Sequence, residues 1–302
     1  MIERYLHNKI TWLDVVNPTA DEIHEILEEC SVPREFANDL TTSTPKTEVF
    51  AKKGFLKITL DFPIVKRTDI NHPHEVKFLV TKSHLITIRF EDIEAIHRFG
   101  KEYEVLCMLN GKQKATTEVL FLIMLNYFYD ALYEKLDYLE SKLKDIEEEV
   151  FKEKEREMVL ELSGVSRRLI TFKQALEAHQ HALSELQDAM KLAFVKNYDA
   201  QCTSLTHHYT ALTRRIQALR STHDDLRNTN DSLLTTKQNA IMNTLTALAF
   251  ITFPLMLFSS MFGMNTKDTP LLGINYDFWI ILGIMAFVSL LLFFLFKRKR
   301  WL

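Results

Sequence analysis

The side chains that could act on an ion are neutral ones close to the C-terminus. Asn265 follows Gly263 and Met264, between two uncharged apolar stretches. Glycine is a common stop at the end of a helix, so Gly263 is expected to end one and to leave the Asn265 amide just beyond it. If several copies of the chain surrounded a symmetry axis, their Asn265 side chains would form a ring of carbonyl oxygens.

Such a ring suits a hard cation that keeps its water. Mg²⁺ loses water reluctantly, so binding through the hydration shell is favourable. A ring of carboxylates would hold the ion more tightly, whereas conduction requires weak binding. Proton-coupled carriers generally keep an acid or base in the membrane, but the stretch before Gly263 has none. Its polar residues are Asn243, Thr244, Thr246, Thr252, Ser259 and Ser260.

No enzyme motif accompanies these residues. The sequence has no Gly-rich phosphate loop, no G-x-S-x-G and no H-E-x-x-H. The pairs His179/His181 and His207/His208 lie on predicted helices at spacings that point their side chains in different directions. The cysteines are few, odd in number and widely spaced, which indicates a reducing compartment. We therefore expect no enzymatic activity, no organic cofactor and no nucleic-acid partner.

Two stretches are long enough to cross a bilayer. Residues 241–262 and 278–296 hold 22 and 19 residues without a charge. At helical rise they span about 33 and 28 Å, close to the ~30 Å hydrocarbon core. Each is a predicted transmembrane helix, which places the chain in the cell membrane.

The basic residues predict the orientation. A cluster follows the second stretch, Lys237 precedes the first, and the connection has one lysine, Lys267. This bias places both termini in the cytoplasm. The first ten residues lack the apolar segment of a cleaved signal. The cluster comprises Lys297, Arg298, Lys299 and Arg300.

Residues 1–110 predict a mixed α/β domain. An apolar strand from Ile10 leads to Thr19, a helix N-cap with Glu22 in the capping-box position. Strand-like, β-branched and aromatic segments follow at residues 47–53, 55–62, 75–82 and 84–90. A long helix is then predicted over residues 116–151, with Val119–Leu125 packed on the sheet, and a second helix over residues 154–192.

A third predicted helix runs from Tyr198 to Phe262. Its 65 residues would extend for about 95 Å. Its first part has an unbroken 4-3-4-3 pattern like that of a coiled coil, which would bring copies together around an axis. Toward the membrane the pattern becomes polar, and these residues either set the register or line a wet passage. The pattern comprises Leu205, Tyr209, Leu212, Ile216, Leu219, His223, Leu226, Asn230, Leu233 and Lys237.

The sequence resembles the CorA-type magnesium channels. The motif Gly263-Met264-Asn265, at the end of the first of two C-terminal spans, matches the signature of that family. The preceding "QNAIMNTLTALAFITFPLMLFSSMF" resembles its pore helix, "WLDVVNPTADEI" its N-terminal region and "KRKRWL" its C-terminal end. The family also includes ZntB-like and Mrs2 proteins.

This resemblance implies a homopentamer with a cytoplasmic α/β funnel, in which a long stalk helix lines the pore. The expected outer selectivity ring for hydrated Mg²⁺ is Gly263, Met264 and Asn265. Met242 and Leu245 would form a constriction that closes by dewetting. The C-terminal cluster would be a basic belt at the cytoplasmic membrane face. The other expected pore-lining residues are Asn239, Phe253, Met256 and Ser260.

The resemblance also implies regulation. Intracellular Mg²⁺ bound between neighbouring funnel domains would hold the pore closed, and low Mg²⁺ would open it. Mg²⁺ is thus the expected cargo and regulator. The candidate ligands are Asp61 and Asp69 in the sheet domain and Asp199, Asp224 and Asp225 on the stalk.

Three positions differ from the family pattern. The usual Met-Pro-Glu of the loop is Thr269-Pro270-Leu271, so the attraction for cations would come from Asp268 or Asp277 or be weaker. The usual threonine two residues after the pore proline is Met256, and the usual lysine after Met242 is Asn243.

The resulting prediction is a channel for Mg²⁺ influx down its electrochemical gradient, which could also pass Co²⁺ or Ni²⁺. One alternative is a ZntB-like Zn²⁺ transporter, and another is a membrane-anchored sensor or scaffold that does not conduct. The predicted organisation is a sheet domain (1–110), a cytoplasmic helical hairpin (111–197), a stalk continuing into the first transmembrane helix (198–262), an external loop (263–277), the second transmembrane helix (278–296) and a basic cytoplasmic tail (297–302).

Overall fold

The computed structural model describes residues 2–7, 10–30, 32–43, 47–63, 73–109, 116–264 and 276–299. The chain divides into two compact units, Met1–Arg227 and Asn228–Leu302, which are described separately. The first unit contains a sheet and the helices around it. The second contains two apolar helices.

A six-stranded sheet organises the first unit. Its order is β1-β2-β6-β5-β4-β3. Strands β2 and β6 are parallel, and the other neighbours are antiparallel. The four strands expected between residues 47 and 90 are confirmed, whereas β1 was not predicted. The strands are β1 (Ile2–His7), β2 (Ile10–Val16), β3 (Glu48–Lys52), β4 (Phe55–Pro63), β5 (Pro73–Thr81) and β6 (His84–Arg89).

Short helices cover one face of the sheet. They are α1 (Ala20–Glu29), a 3-10 turn (Arg34–Phe36) and α2 (Ala37–Thr41). The predicted capping box of α1 is confirmed: the Glu22 amide donates to the Thr19 hydroxyl at 3.3 Å, and the Thr19 amide donates to the Glu22 carboxylate at 2.8 Å. Apolar side chains of α1 and the sheet share a buried core.

Helix α4 (Thr117–Phe151) covers the other face, and α3 (Glu94–Leu109) precedes it. The predicted contact between α4 and the sheet is confirmed by aromatic pairs. The Phe78 and Phe121 ring centroids are 5.6 Å apart, and those of Phe62 and Phe128 are 5.1 Å apart. The apolar start of α4 is therefore a core segment of the sheet domain.

The single helix predicted over residues 154–192 is wrong. The structure has two helices, α5 (Glu155–Glu177) and α6 (His179–Ala193), separated at Ala178. His179 directly after the break is fully buried. Helix α6 then packs on β3 and β4, and the Gly54 amide donates to the Ala193 carbonyl at 2.7 Å. Helix α6 thus lies at the edge of the sheet, where β3 is the last strand.

Helix α7 (Asp199–Phe262) confirms the predicted long helix, with 64 residues and Pro254 inside it. Its 4-3-4-3 pattern is buried from Leu205 to Leu226 within the single chain. The Tyr209 hydroxyl donates to the Leu176 carbonyl at 2.9 Å, and the His223 Nε2 lies 3.1 Å from the Leu162 carbonyl oxygen. This part of the pattern therefore packs on the chain's own α5, and the expectation that it joins copies is wrong.

The second unit contains the rest of α7 and helix α8 (Asp277–Arg298). Both helices are long and apolar enough to cross a membrane. The Phe250 and Phe296 ring centroids are 6.0 Å apart, so the two helices lie beside each other. No residue of α8 is buried, and large apolar surfaces such as Trp279 and Phe287 are exposed. Exposed apolar surface of this extent indicates lipid or protein partners.

Candidate functional site

The six expected pore-lining residues share one side of α7. At 100° per residue, Asn239, Met242, Leu245, Phe253, Met256 and Ser260 fall within a sector of roughly 120°. We call this sector the 239–260 face. All six side chains are exposed in the single chain. Met242, Leu245, Phe253 and Met256 have exposed fractions of 62%, 56%, 65% and 64%.

The opposite side of α7 is the packed one. Ala247 is fully buried, and Ile251, Leu255, Phe258 and Phe262 are partly buried. On the helix these positions are centred roughly 180° from the 239–260 face. Because the chain buries the opposite side, the 239–260 face is left for other molecules. In that arrangement, Asn239 and Ser260 stand at the two ends of the face, and the expected pore residues between them are apolar.

Two threonines off this face are already bonded to the helix. The Thr244 hydroxyl donates to the Ala240 carbonyl at 3.0 Å, and the Thr252 hydroxyl donates to the Leu248 carbonyl at 3.0 Å. Such back-bonding satisfies a hydroxyl in an apolar environment. These threonines therefore need no partner outside the helix.

Gly263 and Met264 follow the end of α7. The Gly263 amide donates to the Ser259 carbonyl at 3.0 Å, and the Met264 amide is 3.4 Å from the Met261 carbonyl. A Cβ on Gly263 would lie only 3.2 Å from the Ser259 carbonyl oxygen. Because glycine has no Cβ, it permits this close approach to the Ser259 carbonyl at the end of the helix. Asn265 lies outside the described residues, as do Lys267, Asp268 and Thr269-Pro270-Leu271.

The basic cluster ends α8. Lys297 and Arg298 are in its last turn, Lys299 is its C-cap, and all three are exposed. Positive charge there complements the negative end of the helix dipole. Arg300 lies outside the described residues.

Asp61 is the best placed of the candidate regulatory acids. It stands directly opposite Glu75 in the β4–β5 pairing. Burial, and then repulsion by Glu75, raise the pKa of Asp61. Glu75 is itself held 3.1 Å from the Lys77 amine and accepts from the Ser43 hydroxyl at 2.7 Å. A bound cation would relieve the repulsion between the two carboxylates.

The other acids are separate from this pair. Asp199 accepts from Lys191 at 3.0 Å and Gln187 at 2.9 Å, and these bonds lower its pKa. Asp224 is 3.0 Å from the His223 Nδ1. Asp225 is exposed, and it lies about 39 Å along the helix from Asp199. Among the described residues, no group of three or more His, Cys, Asp and Glu side chains could hold a metal. Asp69 lies outside them.

Sequence reasoning missed the roles of Glu75 and His179. The pairing of Glu75 with Asp61 depends on strand register, which the sequence alone leaves open. His179 Nε2 donates to the Asp61 carbonyl at 2.7 Å, so Nδ1 accepts from the Tyr129 hydroxyl at 3.0 Å. Burial lowers the pKa of His179 to about 4. It is therefore a neutral link between β4 and α4 and has no free nitrogen for a metal.

Comparisons with known proteins agree with this architecture. A cobalt/magnesium transport protein CorA of Methanocaldococcus jannaschii is 21% identical over 299 residues, which cover 97% of this chain and 92% of the relative. The complete structure of the CorA magnesium transporter from that organism matches with a TM-score of 0.83 at 19% identity, covering 99% of this chain and 93% of the other.

The fold is shared more widely. The ZntB cytoplasmic domain from Vibrio parahaemolyticus RIMD 2210633 matches with a TM-score of 0.53 at 16% identity, covering 77% of this chain and 88% of the other. The complete CorA structure confirms the predicted fold class: a soluble α/β domain, a long helix and two apolar C-terminal helices. The family described as CorA-like Mg²⁺ transporter protein matches residues 7–298. Since this match spans almost the entire sequence, the chain belongs to the CorA-like Mg²⁺ transporter family.

Proposed function

We propose that this chain forms a homopentameric channel in the cell membrane that admits Mg²⁺, and also Co²⁺ or Ni²⁺, down the electrochemical gradient. The observation that carries the proposal is the 239–260 face: six expected pore residues are exposed together, opposite the side of α7 that is buried or partly buried. Two helices cannot enclose a path for an ion. Several copies of α7 around an axis can, with the 239–260 face turned inward.

Ion selection in this proposal takes place beyond the end of α7. Gly263 follows the end of the helix, where a Cβ would lie only 3.2 Å from the Ser259 carbonyl oxygen. Beyond it, the Asn265 amides of the copies would form a neutral ring. Amide oxygens hold the water shell of Mg²⁺ without stripping it, which keeps binding weak enough for release. The family name and the CorA relative support Mg²⁺ as cargo.

The closed state would depend on Met242 and Leu245. Both side chains are long, apolar and more than half exposed on the 239–260 face. When five copies approach, such a ring excludes water and blocks a hydrated ion. The basic residues Lys297–Lys299 would meet anionic lipid at the cytoplasmic surface. Both termini are then cytoplasmic.

Regulation by intracellular Mg²⁺ is best assigned to Asp61. Its carboxylate lies opposite Glu75, and a bound cation would stabilise the pair because it screens the repulsion between the two carboxylates. Asp199 is a weaker candidate because Lys191 and Gln187 already satisfy it. Asp224 and Asp225 are exposed on α7 and could be completed by a neighbouring copy.

The main alternative is Zn²⁺ transport, because the ZntB domain shares the fold. The absence of an ionisable residue from 241–262 and 278–296 argues against coupling to protons. A non-conducting sensor is the second alternative. The extended 239–260 face, which has no role in a single chain, favours conduction.

The test is ion uptake by liposomes that contain the purified protein and dyes specific for Mg²⁺ or Zn²⁺. We expect Mg²⁺ influx without a pH gradient, and its loss in Asn265→Ala. Asn228→Ala, an exposed position on α7 outside both apolar stretches, is the matched control and should conduct normally. Zn²⁺ uptake that requires a pH gradient would support the first alternative. No flux of either ion from correctly assembled protein would support the second.

A further inference from the structure

The middle of the 239–260 face carries a single side-chain heteroatom. Between Thr246 and Ser260, a stretch that the structure describes completely, the sector holds the Met256 sulfur and otherwise only hydrocarbon side chains. The stretch is about 21 Å long. The Met256 sulfur is therefore the side-chain atom there that can donate a lone pair to a cation, and Met256 is 64% exposed. The residues of the sector in this stretch are Ala249, Phe253, Met256 and Leu257.

A neighbouring threonine hydroxyl does not compete with this sulfur. Thr252 lies beside the sector, and its hydroxyl is turned back to the Leu248 carbonyl at 3.0 Å and the Ala249 carbonyl at 3.3 Å. An ion at this level thus meets thioether, aromatic and aliphatic groups. Hard side-chain oxygen ligands begin only at Thr246 on one side and Ser260 on the other.

Thioether sulfur selects a particular class of cation. It is a soft, polarisable ligand that suits Cu⁺, whereas Mg²⁺ prefers carboxylate, carbonyl and water oxygen. Hydrated Mg²⁺ gains nothing by exchanging water for sulfur and passes this level unbound. A soft monovalent ion loses its water at lower cost and gains sulfur ligands in exchange. Such an ion would therefore remain bound at the level of Met256.

We infer that the Met256 thioethers of several copies form a binding site for a soft monovalent cation of the Cu⁺ class, and that an ion bound there blocks the path of Mg²⁺. This rests on the proposed function, because one thioether is a weak ligand and the site is complete only when copies of α7 surround an axis. The block is a property of the apolar mid-span and is separate from selection at Asn265.

The probe is Ag⁺, which is soft, monovalent and stable to redox change. Mg²⁺ influx into liposomes is followed in chloride-free nitrate buffer as Ag⁺ is added. We expect Ag⁺ to inhibit the wild-type protein. Met256→Leu keeps the volume and removes the sulfur, and it should raise the half-inhibiting Ag⁺ concentration by roughly tenfold or more, each variant being normalised to its own flux.

The matched control is Met261→Leu. Met261 is 54% exposed on the same helix but outside the 239–260 face, so its substitution should leave both Mg²⁺ influx and Ag⁺ inhibition unchanged. A Met256→Leu variant as sensitive as wild type would overturn the inference, because thiols or another methionine would then be the site. A wild type that conducts Mg²⁺ and ignores Ag⁺ would overturn it as well.

Failure of the proposed function can be distinguished from failure of the thioether inference. If the wild type shows no Mg²⁺ influx even without Ag⁺, the channel proposal fails. The difference in Ag⁺ binding between wild type and Met256→Leu, measured by calorimetry, then decides the thioether site: fewer Ag⁺ ions bound by Met256→Leu support it, and a stoichiometry equal to wild type refutes it. Met256→Thr provides a second sulfur-free variant if the leucine protein does not assemble.

Discussion

At the scale of single residues, His179 ties distant parts of the sheet domain together. It is fully buried, its ring stacks on Tyr209 of α7, and its two nitrogens bind Asp61 of β4 and Tyr129 of α4. A buried imidazole with both nitrogens satisfied holds these elements at a fixed spacing. The same contacts keep it neutral, because protonation would bury a cation and would remove the lone pair with which Nδ1 accepts from Tyr129.

We expect His179→Phe to destabilise the protein. The change leaves the Asp61 carbonyl and the Tyr129 hydroxyl buried without their partner, at a cost of about 2 kcal/mol or more. Thermal unfolding in detergent at pH 7.5 measures it. His181→Phe is the control, since the His181 side chain is 79% exposed. Equal stability of the two variants would show that the buried contacts contribute nothing.

The pH dependence of stability provides a second signature of His179. Its pKa in the folded protein, about 4, lies below the ordinary value of 6.5. Between these values the unfolded chain binds a proton that the folded chain does not, so stability should fall as pH decreases from 6.5 to 4, by up to about 1.4 kcal/mol per pH unit. His179→Phe should lose this component. An unchanged slope in the variant, measured by unfolding in detergent across this pH range, would contradict the assignment.

Asp61→Asn tests the regulatory pair. The substitution removes the charge that repels Glu75, so a cation has less to gain by binding there. We expect the internal Mg²⁺ concentration that half-closes the channel to rise roughly several-fold, as for a lost charged ligand. Liposomes preloaded with graded Mg²⁺ measure it. Asp199→Asn, at a carboxylate already paired with Lys191, should behave as wild type. A larger change in Asp199→Asn than in Asp61→Asn would assign the regulatory site to Asp199.

At the scale of elements, α7 changes its role along its length. From Leu205 to Leu226 its apolar pattern is buried by the chain's own helices, and from Asn239 to Ser260 one face is exposed. The same 4-3-4-3 spacing describes a helix in a bundle and a helix in a coiled coil, so the sequence could not distinguish an internal partner from another copy.

Leu212→Ala distinguishes an internal partner from another copy. Leu212 is fully buried within one chain, so we expect a loss of about 2–5 kcal/mol in stability without a change of particle size. Unfolding in detergent and size-exclusion chromatography with light scattering measure both. Arg214→Ala, at an exposed position two residues further along α7, is the control and should keep the wild-type stability. Dissociation into smaller particles with unchanged subunit stability would show that the pattern joins copies.

Local chemistry explains which elements could be predicted. The capping box of α1 and the β-branched strands depend on neighbours in sequence, and the structure has them. The break at Ala178 was missed because residues 170–185 contain no Gly or Pro, and the cause is the tertiary burial of His179. Strand β1 was missed because its six residues include Glu3, Arg4 and the exposed Leu6, which hide its alternation.

At the scale of the whole molecule, the proposed channel requires more than one chain. The apolar surfaces of α8 and of α7 between Ile241 and Met261 are exposed. Two helices cannot enclose a path for an ion. Lengths and charge positions were enough to predict both helices. The 239–260 face could be proposed from the sequence because its residues lie on one helix, whereas the Asp61–Glu75 pair depends on strand pairing and the proposed pore on other copies.

The central claim is that the 239–260 face lines the path of Mg²⁺, and Leu245→Asn tests it most directly. A polar ring at this level should hydrate the constriction and raise Mg²⁺ influx at high internal Mg²⁺ by roughly tenfold. Leu248→Asn, at a 48% exposed leucine outside the face, is the matched control and should not open the channel. Higher influx in Leu245→Asn alone is the predicted result. Equal influx in both variants and wild type, with assembly intact, would contradict the claim.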